Sequence, residues 1–245
     1  MKKIIALILA LACVFAVCSC GEDEVEEVQK TPEQIAVETT LACYAASVPT
    51  RVQTNTERVY GENYYTLKGE YITETGKTAE GLVITVKTYT QDKLRYVADG
   101  AGPEVLEPFY TEKGFDQFLE GKGRSTDGKK WVDGANFAPT AGSIALNITL
   151  DNITDITYTE AKYSNVMSFV VLEDMAAEVF GADAKGNCIL DIESDVTVSI
   201  TNNGAVVTGV TIEYTVEEDD DYPGQTVVID TVYGYEIQAP QLQVK

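Results

Sequence analysis

The stretch that decides the fold class is Val227-Val-Ile-Asp-Thr-Val-Tyr-Gly-Tyr-Glu-Ile237. Every second residue in it is aliphatic, aromatic or threonine, so these side chains would share one face of a strand. A period of two is typical of a β-strand with one buried side, so Thr226 to Ile237 is predicted to be a strand. Ile189 to Ile200 and Val206 to Val216 precede it as two further long strands, and Asn202-Asn203-Gly204 favours a hairpin turn between them. The shared face of the last strand consists of Val227, Ile229, Thr231, Tyr233, Tyr235 and Ile237.

The pattern extends upstream as short apolar-alternating runs divided by turn residues. Five turns or breaks are predicted, at residues 75–77, 90–93, 99–103, 112–114 and 126–129, and all but the second contain glycine. Such spacing predicts an antiparallel meander. Further along, residues 133–142 suggest a central loop, Ile144 to Leu150 a strand, and Glu173 to Phe180 a short helix ended by Gly181.

One helix start precedes the strands. Thr31-Pro32-Glu33-Gln34 combines a capping threonine, a proline in the first turn and a capping-box partner. Pro49 disfavours helical geometry at Val48, so the predicted helix spans residues 32–48. Its apolar stripe is Val37, Leu41, Tyr44, Ala45 and Val48.

The first 30 residues read as an export signal and a tether. A basic Met1-Lys2-Lys3 precedes the uncharged apolar run Ile4 to Val17, which is shorter than the roughly 20 residues that a membrane span needs. Val17-Cys18-Ser19-Cys20 fits the cleavage pattern of bacterial lipoproteins, with Cys20 as the lipidated residue and Cys18 as the rival acceptor. The predicted organisation is a signal peptide at 1–19, an acidic tether at 20–30 and a single β-rich domain at 31–245. Lipidated Cys20 would anchor the exported chain to the outer face of the cytoplasmic membrane or to the outer membrane.

Charge and composition exclude several functions. The mature chain would carry 16 basic and 39 acidic side chains, a net charge of −23, which repels nucleic acid. There is no histidine in the sequence, and no glycine-rich phosphate loop or nucleophile elbow. We therefore expect no enzyme activity, no cofactor and no metal site. Cys43 and Cys188 could pair as a disulfide or remain two buried thiols, and the second alternative is slightly preferred.

This order of segments resembles the LolA, LolB and LppX group of periplasmic and lipoprotein carriers. The resemblance covers residues 31–238 and includes a ladder of strands between residues 93 and 114. It implies an unclosed β-barrel with a helix across its mouth and a cavity for acyl chains. The predicted fold is accordingly mostly β: a large curved antiparallel sheet, or half-barrel, with the N-terminal amphipathic helix on its concave face and a second, short helix.

A single helix seldom covers so large a sheet, so part of the concave face is either filled by side chains or open to a ligand. In the first case the tyrosines pack as cross-strand pairs. The domain is then a scaffold that binds protein or wall polymer through its surface. In the second case it is a membrane-anchored lipoprotein that binds a hydrophobic, acyl-chain ligand. The candidate groove residues are Val37, Leu41, Tyr44, Tyr65, Leu67, Tyr71, Leu82, Ile84, Val86, Tyr233 and Tyr235.

The lipidation site is directly testable. Because a thioether forms only on cysteine, Cys20→Ala should leave an unprocessed or soluble chain. The measurement is mass spectrometry of the N-terminal peptide together with fractionation of membranes. An N-terminal peptide that is acylated at Cys18 would contradict the assignment.

Overall fold

The computed structural model describes residues 29–61, 65–97, 105–133, 146–217, 224–236 and 238–245. Within these residues an N-terminal helix, α1 (Pro32–Ala46), precedes ten strands, and a single 3₁₀ turn (Glu173–Met175) leads into a short helix, α2 (Ala176–Phe180). The strands are β1 (Arg51–Tyr60), β2 (Tyr65–Lys77), β3 (Val83–Val97), β4 (Val105–Leu119), β5 (Gly123–Ser125), β6 (Thr154–Glu160), β7 (Asn165–Val171), β8 (Val196–Asn202), β9 (Val207–Val216) and β10 (Gln225–Gly234).

The described strands form one open antiparallel sheet in the order β5-β4-β3-β2-β1-β10-β9-β8-β7-β6. The chain winds outward from β1 to the edge strand β5, crosses to the other edge at β6, and winds inward until β10 pairs with β1. This arrangement confirms the predicted fold class: mostly β and antiparallel, with an N-terminal helix and a short second one.

The cross-strand register assigns each residue to one of two sides of the sheet. Val227 pairs with Tyr214, and Ile229 pairs with Ile212. All four residues are buried, on the side that α1 covers, which we call the helix side. Residues one position away along each strand point to the other side, which we call the back side.

α1 covers only part of the helix side. It contacts β6, β7, β8 and β9, so we call strands β6–β10 the covered half and strands β1–β5 the open half. The covered half is filled by one continuous apolar core of small and β-branched residues with a few aromatic ones. Its most deeply buried members include Met167, Phe169, Val171, Val179, Phe180, Val196, Val198, Ile200, Val207, Ile212 and Val227.

The buried face of α1 is smaller than the predicted stripe. Ala36, Val37, Thr40 and Cys43 are buried, whereas Ala45 is exposed and Val48 is 80% exposed beyond the end of the helix. Thr40 contributes a hydroxyl that donates to the Met167 sulfur at 3.5 Å. These small side chains let the helix backbone approach the sheet closely, and the half-buried Leu41 and Tyr44 also pack against the core.

The C-terminal end of α1 is fixed to the sheet by hydroxyl groups. The Ser47 hydroxyl donates to the Cys43 carbonyl at 2.7 Å and accepts the Val207 N–H at 2.9 Å. Tyr235 donates its hydroxyl to the Val207 carbonyl. Both main-chain groups of Val207 are therefore bonded to side chains, which locks the helix end against the start of β9.

Tyr44 and Tyr233 lie beside this clamp under α1. Among the described residues, neither buried hydroxyl has a hydrogen-bond partner of normal geometry. Burial, reinforced by the nearby Tyr233 hydroxyl, raises the pKa of Tyr44 above its ordinary value, and burial likewise raises the pKa of Tyr233. Both residues thus belong to the packed core rather than to a wet cavity.

A second, smaller core lies on the back side of the open half. Ile84 pairs with Gly76 on β2 and with Leu119 on β4, and its side chain is 0% exposed. Residues 240–245 lie over this row: the Leu242 side chain sits beside Gly76, where an added Cβ would come within 3.1 Å of it. Residues 240–245 thus lie against the back side of β2 and β4, in the half of the sheet that α1 does not contact.

Several predicted boundaries differ from the structure. Residues 75–77, 90–93 and 112–114 lie within β2, β3 and β4, so these three predicted turns are wrong. The predicted break at residues 99–103 lies outside the described residues. Residues 146–150 are not in a strand, and β8 begins only at Val196. Residues 189–190 form a turn instead, and Asp191 after it has a positive φ of 55°. The predicted loop at 133–142 lies, apart from Asp133, outside the described residues.

Replacing Ile84 tests the back-side core. Ile84→Trp should lower the free energy of unfolding by about 1–3 kcal/mol, because a larger ring cannot enter a filled site without displacing its neighbours. Denaturant unfolding measures the loss. Val232→Trp, at an exposed back-side position of β10, is the control and should change stability little. Equal stability of both variants would show that Ile84 is not packed.

Replacing Tyr44 tests the buried hydroxyls. Tyr44→Phe should leave the free energy of unfolding at pH 7 unchanged or raise it by up to about 1 kcal/mol, since an unpaired buried hydroxyl is removed. A tyrosine pKa that is raised on folding adds stability below about pH 10, and that stability is lost as the pH rises further. The Phe variant should therefore lose stability less steeply than the parent between about pH 9 and 11.

Unfolding curves at a series of pH values measure this dependence. Tyr163→Phe, at an exposed tyrosine, is the control and should behave like the parent. A large loss of stability in Tyr44→Phe at pH 7 would mean that the hydroxyl does have a partner.

Candidate functional site

The residues predicted to line one groove fall into three places. Val37, Leu41, Tyr44, Tyr233 and Tyr235 belong to the core of the covered half or pack against it. Ile84 and Val86 lie on the back side of β3, and Leu82 is exposed in the turn before that strand. Only Leu67 and Tyr71 lie on the helix side of the open half. The side chain of Tyr65 lies outside the described part of the structure.

A row of four residues crosses the open half on its helix side. Thr54, Tyr71, Tyr89 and Gly114 are cross-strand neighbours on β1, β2, β3 and β4. The Tyr71 and Tyr89 rings are stacked, with centroids 5.6 Å apart and planes 22° from parallel, and Tyr71 is 40% exposed. We call this stacked pair of rings, of which Tyr71 is the more exposed, the tyrosine platform.

Gly114 makes the platform possible. A Cβ atom at this position would lie 1.9 Å from the Tyr89 ring, far inside van der Waals contact. The Tyr89 ring therefore lies directly over the main chain of β4, in the space that any other residue would fill. This explains why glycine occurs in the middle of a continuous strand.

Beside the platform is a small open recess with a volume of about 190 Å³. Gly69 lies in the next cross-strand row, between Thr56 on β1 and Gln91 on β3, and has no side chain to fill that row. The Tyr71 hydroxyl donates to the Gln91 amide oxygen at 2.9 Å, which joins recess and platform. The recess is lined by Thr56, Arg58, Leu67, Lys68, Gly69, Tyr71, Gln91 and Asp92.

The charged groups around the recess are held in place by neighbours. Arg58 donates to the Gln225 amide oxygen at 3.1 Å, on the side of the recess nearest β10. Burial raises the pKa of the adjacent Tyr214 hydroxyl, and the Arg58 guanidinium partly opposes that effect. At the β4 side, Lys93 lies 3.6 Å from Glu112. The site thus combines an aromatic surface, one aliphatic side chain, an amide, a hydroxyl and a fixed guanidinium with the charged groups of Lys68 and Asp92 at its border.

A larger groove, of about 460 Å³, crosses the back side of the same strands. Its acidic side chains are already bonded: Lys68 lies 3.0 Å from Glu57, Gln53 donates to Glu70 at 2.8 Å, and Thr211 donates to Asp230 at 2.7 Å. It contains no aromatic ring. We interpret it as a solvated strand surface, because binding pockets usually combine apolar walls with a few polar groups.

The described residues offer little other chemistry. They contain no cluster of three or more cysteine or acidic side chains suited to a metal ion. Cys43 is buried and Cys188 half-buried, and both are free thiols in the structure. In the part of the chain described here, no helix combines the length and hydrophobicity needed to cross a bilayer.

Sequence reasoning missed most of the recess and platform, namely Thr56, Arg58, Gly69, Tyr89, Gln91 and Gly114. One signal was present: glycine and tyrosine alternate along β2 as Gly69 and Tyr71, and β3 carries a tyrosine in Tyr89. The pairing of Tyr71 with Tyr89 depends on the length of the turn between the strands, which the residue pattern alone does not fix.

Comparisons with known proteins give one distant structural likeness. No family model matches the sequence, and no curated protein matches it. The structure is similar to the crystal structure of a DUF1329 family protein from Desulfovibrio piger, at 8% identity and a TM-score of 0.26, over 86% of this chain and 96% of that one. A likeness of this size supports no inference about family or ligand, so the resemblance to the LolA, LolB and LppX group stays a prediction.

Proposed function

We propose that this protein is a membrane-tethered binding protein of the bacterial cell envelope that binds a neutral glycan on its tyrosine platform. The observation that carries the proposal is the stacked, accessible Tyr71–Tyr89 pair beside a polar recess. Lipidated Cys20 would hold the chain at a membrane, and residues 21–30 would separate the sheet from the bilayer. Both statements rest on the N-terminal sequence pattern.

The chemistry of the platform suits a sugar. A pyranose ring has one face of C–H groups that packs on an aromatic ring, while its hydroxyl groups need hydrogen-bond partners at the edge. Gln91, Thr56 and Arg58 supply such partners within the recess. The strongly negative chain disfavours polyanionic polymers, which leaves neutral glycans as the better class.

The filled core favours this proposal over an acyl-chain groove. Five of the predicted groove residues pack in or against the core beneath α1, and Ile84 lies under residues 240–245. The recess of about 190 Å³ contains one apolar aliphatic side chain, Leu67, among polar ones. An acyl chain gains about 0.8 kcal/mol for each buried methylene, so it needs a longer apolar channel than this recess.

Removing the platform ring tests the function. Residues 21–245 are titrated calorimetrically with neutral cello-, malto-, xylo- and chito-oligosaccharides, and with palmitate. Tyr71→Ala should weaken binding of the saccharide that binds best by at least about tenfold, since the stacking surface is lost. Gly114→Ala should weaken it as well, because its methyl group displaces the Tyr89 ring.

Tyr163→Ala is the matched control, since it removes an exposed tyrosine next to the β6–β7 turn without touching the platform. Its binding should equal that of the parent. Saturable binding of palmitate with no saccharide binding would favour the acyl-chain function instead. Binding of neither ligand would leave the platform without the proposed role.

A further inference from the structure

Residues 240–245 bind to the sheet as an extended peptide. At the end of β2, beyond the point where β1 begins, the Lys77 N–H donates to the Pro240 carbonyl at 2.9 Å. The Leu242 N–H donates in turn to the Lys77 carbonyl at 3.0 Å. These two bonds form a parallel β-bridge between Lys77 and Gln241, so the segment adds to the sheet through its main chain.

Gln117 of β4 continues this main-chain recognition with its side chain. Its amide nitrogen donates to the Gln243 carbonyl at 3.0 Å, and its amide oxygen accepts the Lys245 N–H at 3.0 Å. The residue is only 1% exposed, so both of its polar groups depend on the segment for their bonds. The buried Gln117 amide thus bonds to main-chain groups of residues 243 and 245, as the main chain of a neighbouring β-strand would.

Two glycines shape the cleft around the segment. A Cβ atom at Gly76 would lie 2.2 Å from the Pro240 carbonyl oxygen, and one at Gly128 would lie 2.2 Å from the Lys245 carbonyl oxygen. The cleft therefore exists because glycine, which has no side chain, occupies one position in β2 and one in the 126–129 turn. Lys245 adds a side-chain contact, its ammonium lying 4.3 Å from the centre of the Phe115 ring.

The bound segment keeps most of its own side chains in solvent. Gln241, Gln243, Val244 and Lys245 are exposed, while Leu242 is half-buried. A segment that served only as core would bury its side chains, whereas this one is recognised chiefly through its peptide groups. In such recognition the main-chain hydrogen bonds supply the affinity, and side-chain pockets supply the specificity.

We propose that this cleft is a peptide-binding site which the chain's own residues 240–245 fill, and that it exchanges them for the same segment of a second copy. The second copy is the favoured occupant because its segment matches every contact described above. The described residues of the connection after Gly234, namely 235, 236, 238 and 239, lie outside the strands, so the connection can redirect the segment to another molecule. Exchange of an identical element is a low-cost route to dimers.

Cleaving the connection tests the site in the full-length protein. A protease site inserted between Gln238 and Ala239 allows the segment to be cut from the folded chain. Native mass spectrometry should then find the peptide of residues 239–245 still bound. An isotopically heavy synthetic copy of it should replace the bound one.

Main-chain methylation supplies the specific readout. An N-methyl group at Leu242 or at Lys245 removes a donor to Lys77 or to Gln117, and each should weaken competition by about tenfold. N-methylation at Val244 is the control and should change competition by less than about twofold. Loss of the peptide after cleavage, or equal effects of the three methylations, would overturn the peptide site.

The exchange between copies is tested on the uncut chain of residues 21–245. Light scattering after size-exclusion chromatography should show a dimer that increases with protein concentration. An excess of the synthetic segment should suppress the dimer. Gln117→Ala should change the monomer–dimer equilibrium by less than about twofold, because the lost bonds occur equally in the closed monomer and in the exchanged dimer. A monomer at every concentration, or a dimer insensitive to the peptide, would overturn the exchange.

Discussion

The organisation of the molecule depends on a mismatch of size between its helix and its sheet. A helix of 15 residues is about 22 Å long, whereas ten paired strands span roughly 43 Å. α1 therefore covers only one half of the helix side, and the apolar residues follow this division. The covered half contains the continuous core, while the open half has a polar and aromatic helix side and only a small back-side core.

In the open half, an aromatic ring and a peptide segment lie directly against the main chain at glycine positions. In the covered half, by contrast, a helix packs on the sheet. On the helix side, Gly114 lets the Tyr89 ring lie over β4. On the back side, Gly76 and Gly128 let residues 240–245 lie over β2 and the 126–129 turn, where they cover Ile84. In both places a missing side chain makes room for a group from elsewhere in the chain.

The sequence predicted the class of fold well and the site poorly. Period-two runs identified the strands, and the start of α1 was predicted correctly from its capping residues. The sequence predicts a turn at residues 112–114 because they contain a glycine. In sequence alone, a glycine that makes room for a ring from the next strand looks the same as a glycine that bends the chain. Only the tertiary contact between Gly114 and Tyr89 distinguishes the two.

The assignment of sides failed at the connection between β2 and β3. Leu82, Ile84 and Val86 were grouped with Leu67 and Tyr71 because all five are apolar or aromatic. The register instead pairs Tyr71 with Tyr89, so the even-numbered residues of β3 face the back side. A shift of one residue moves a whole strand face, and the apolar pattern of β3 does not reveal it, because Ile84 is buried on the back side as fully as a residue of the helix-side core.

Separation of the core from the open site has a consequence for function. The platform, the recess and the cleft for residues 240–245 all lie outside the continuous core under α1. Changes in Tyr71 or Gln91 therefore leave the largest source of folding free energy intact, whereas a ligand in an internal cavity would compete with core packing for the same residues. A sheet divided in this way can accept substitutions on the open half while the covered half maintains the fold.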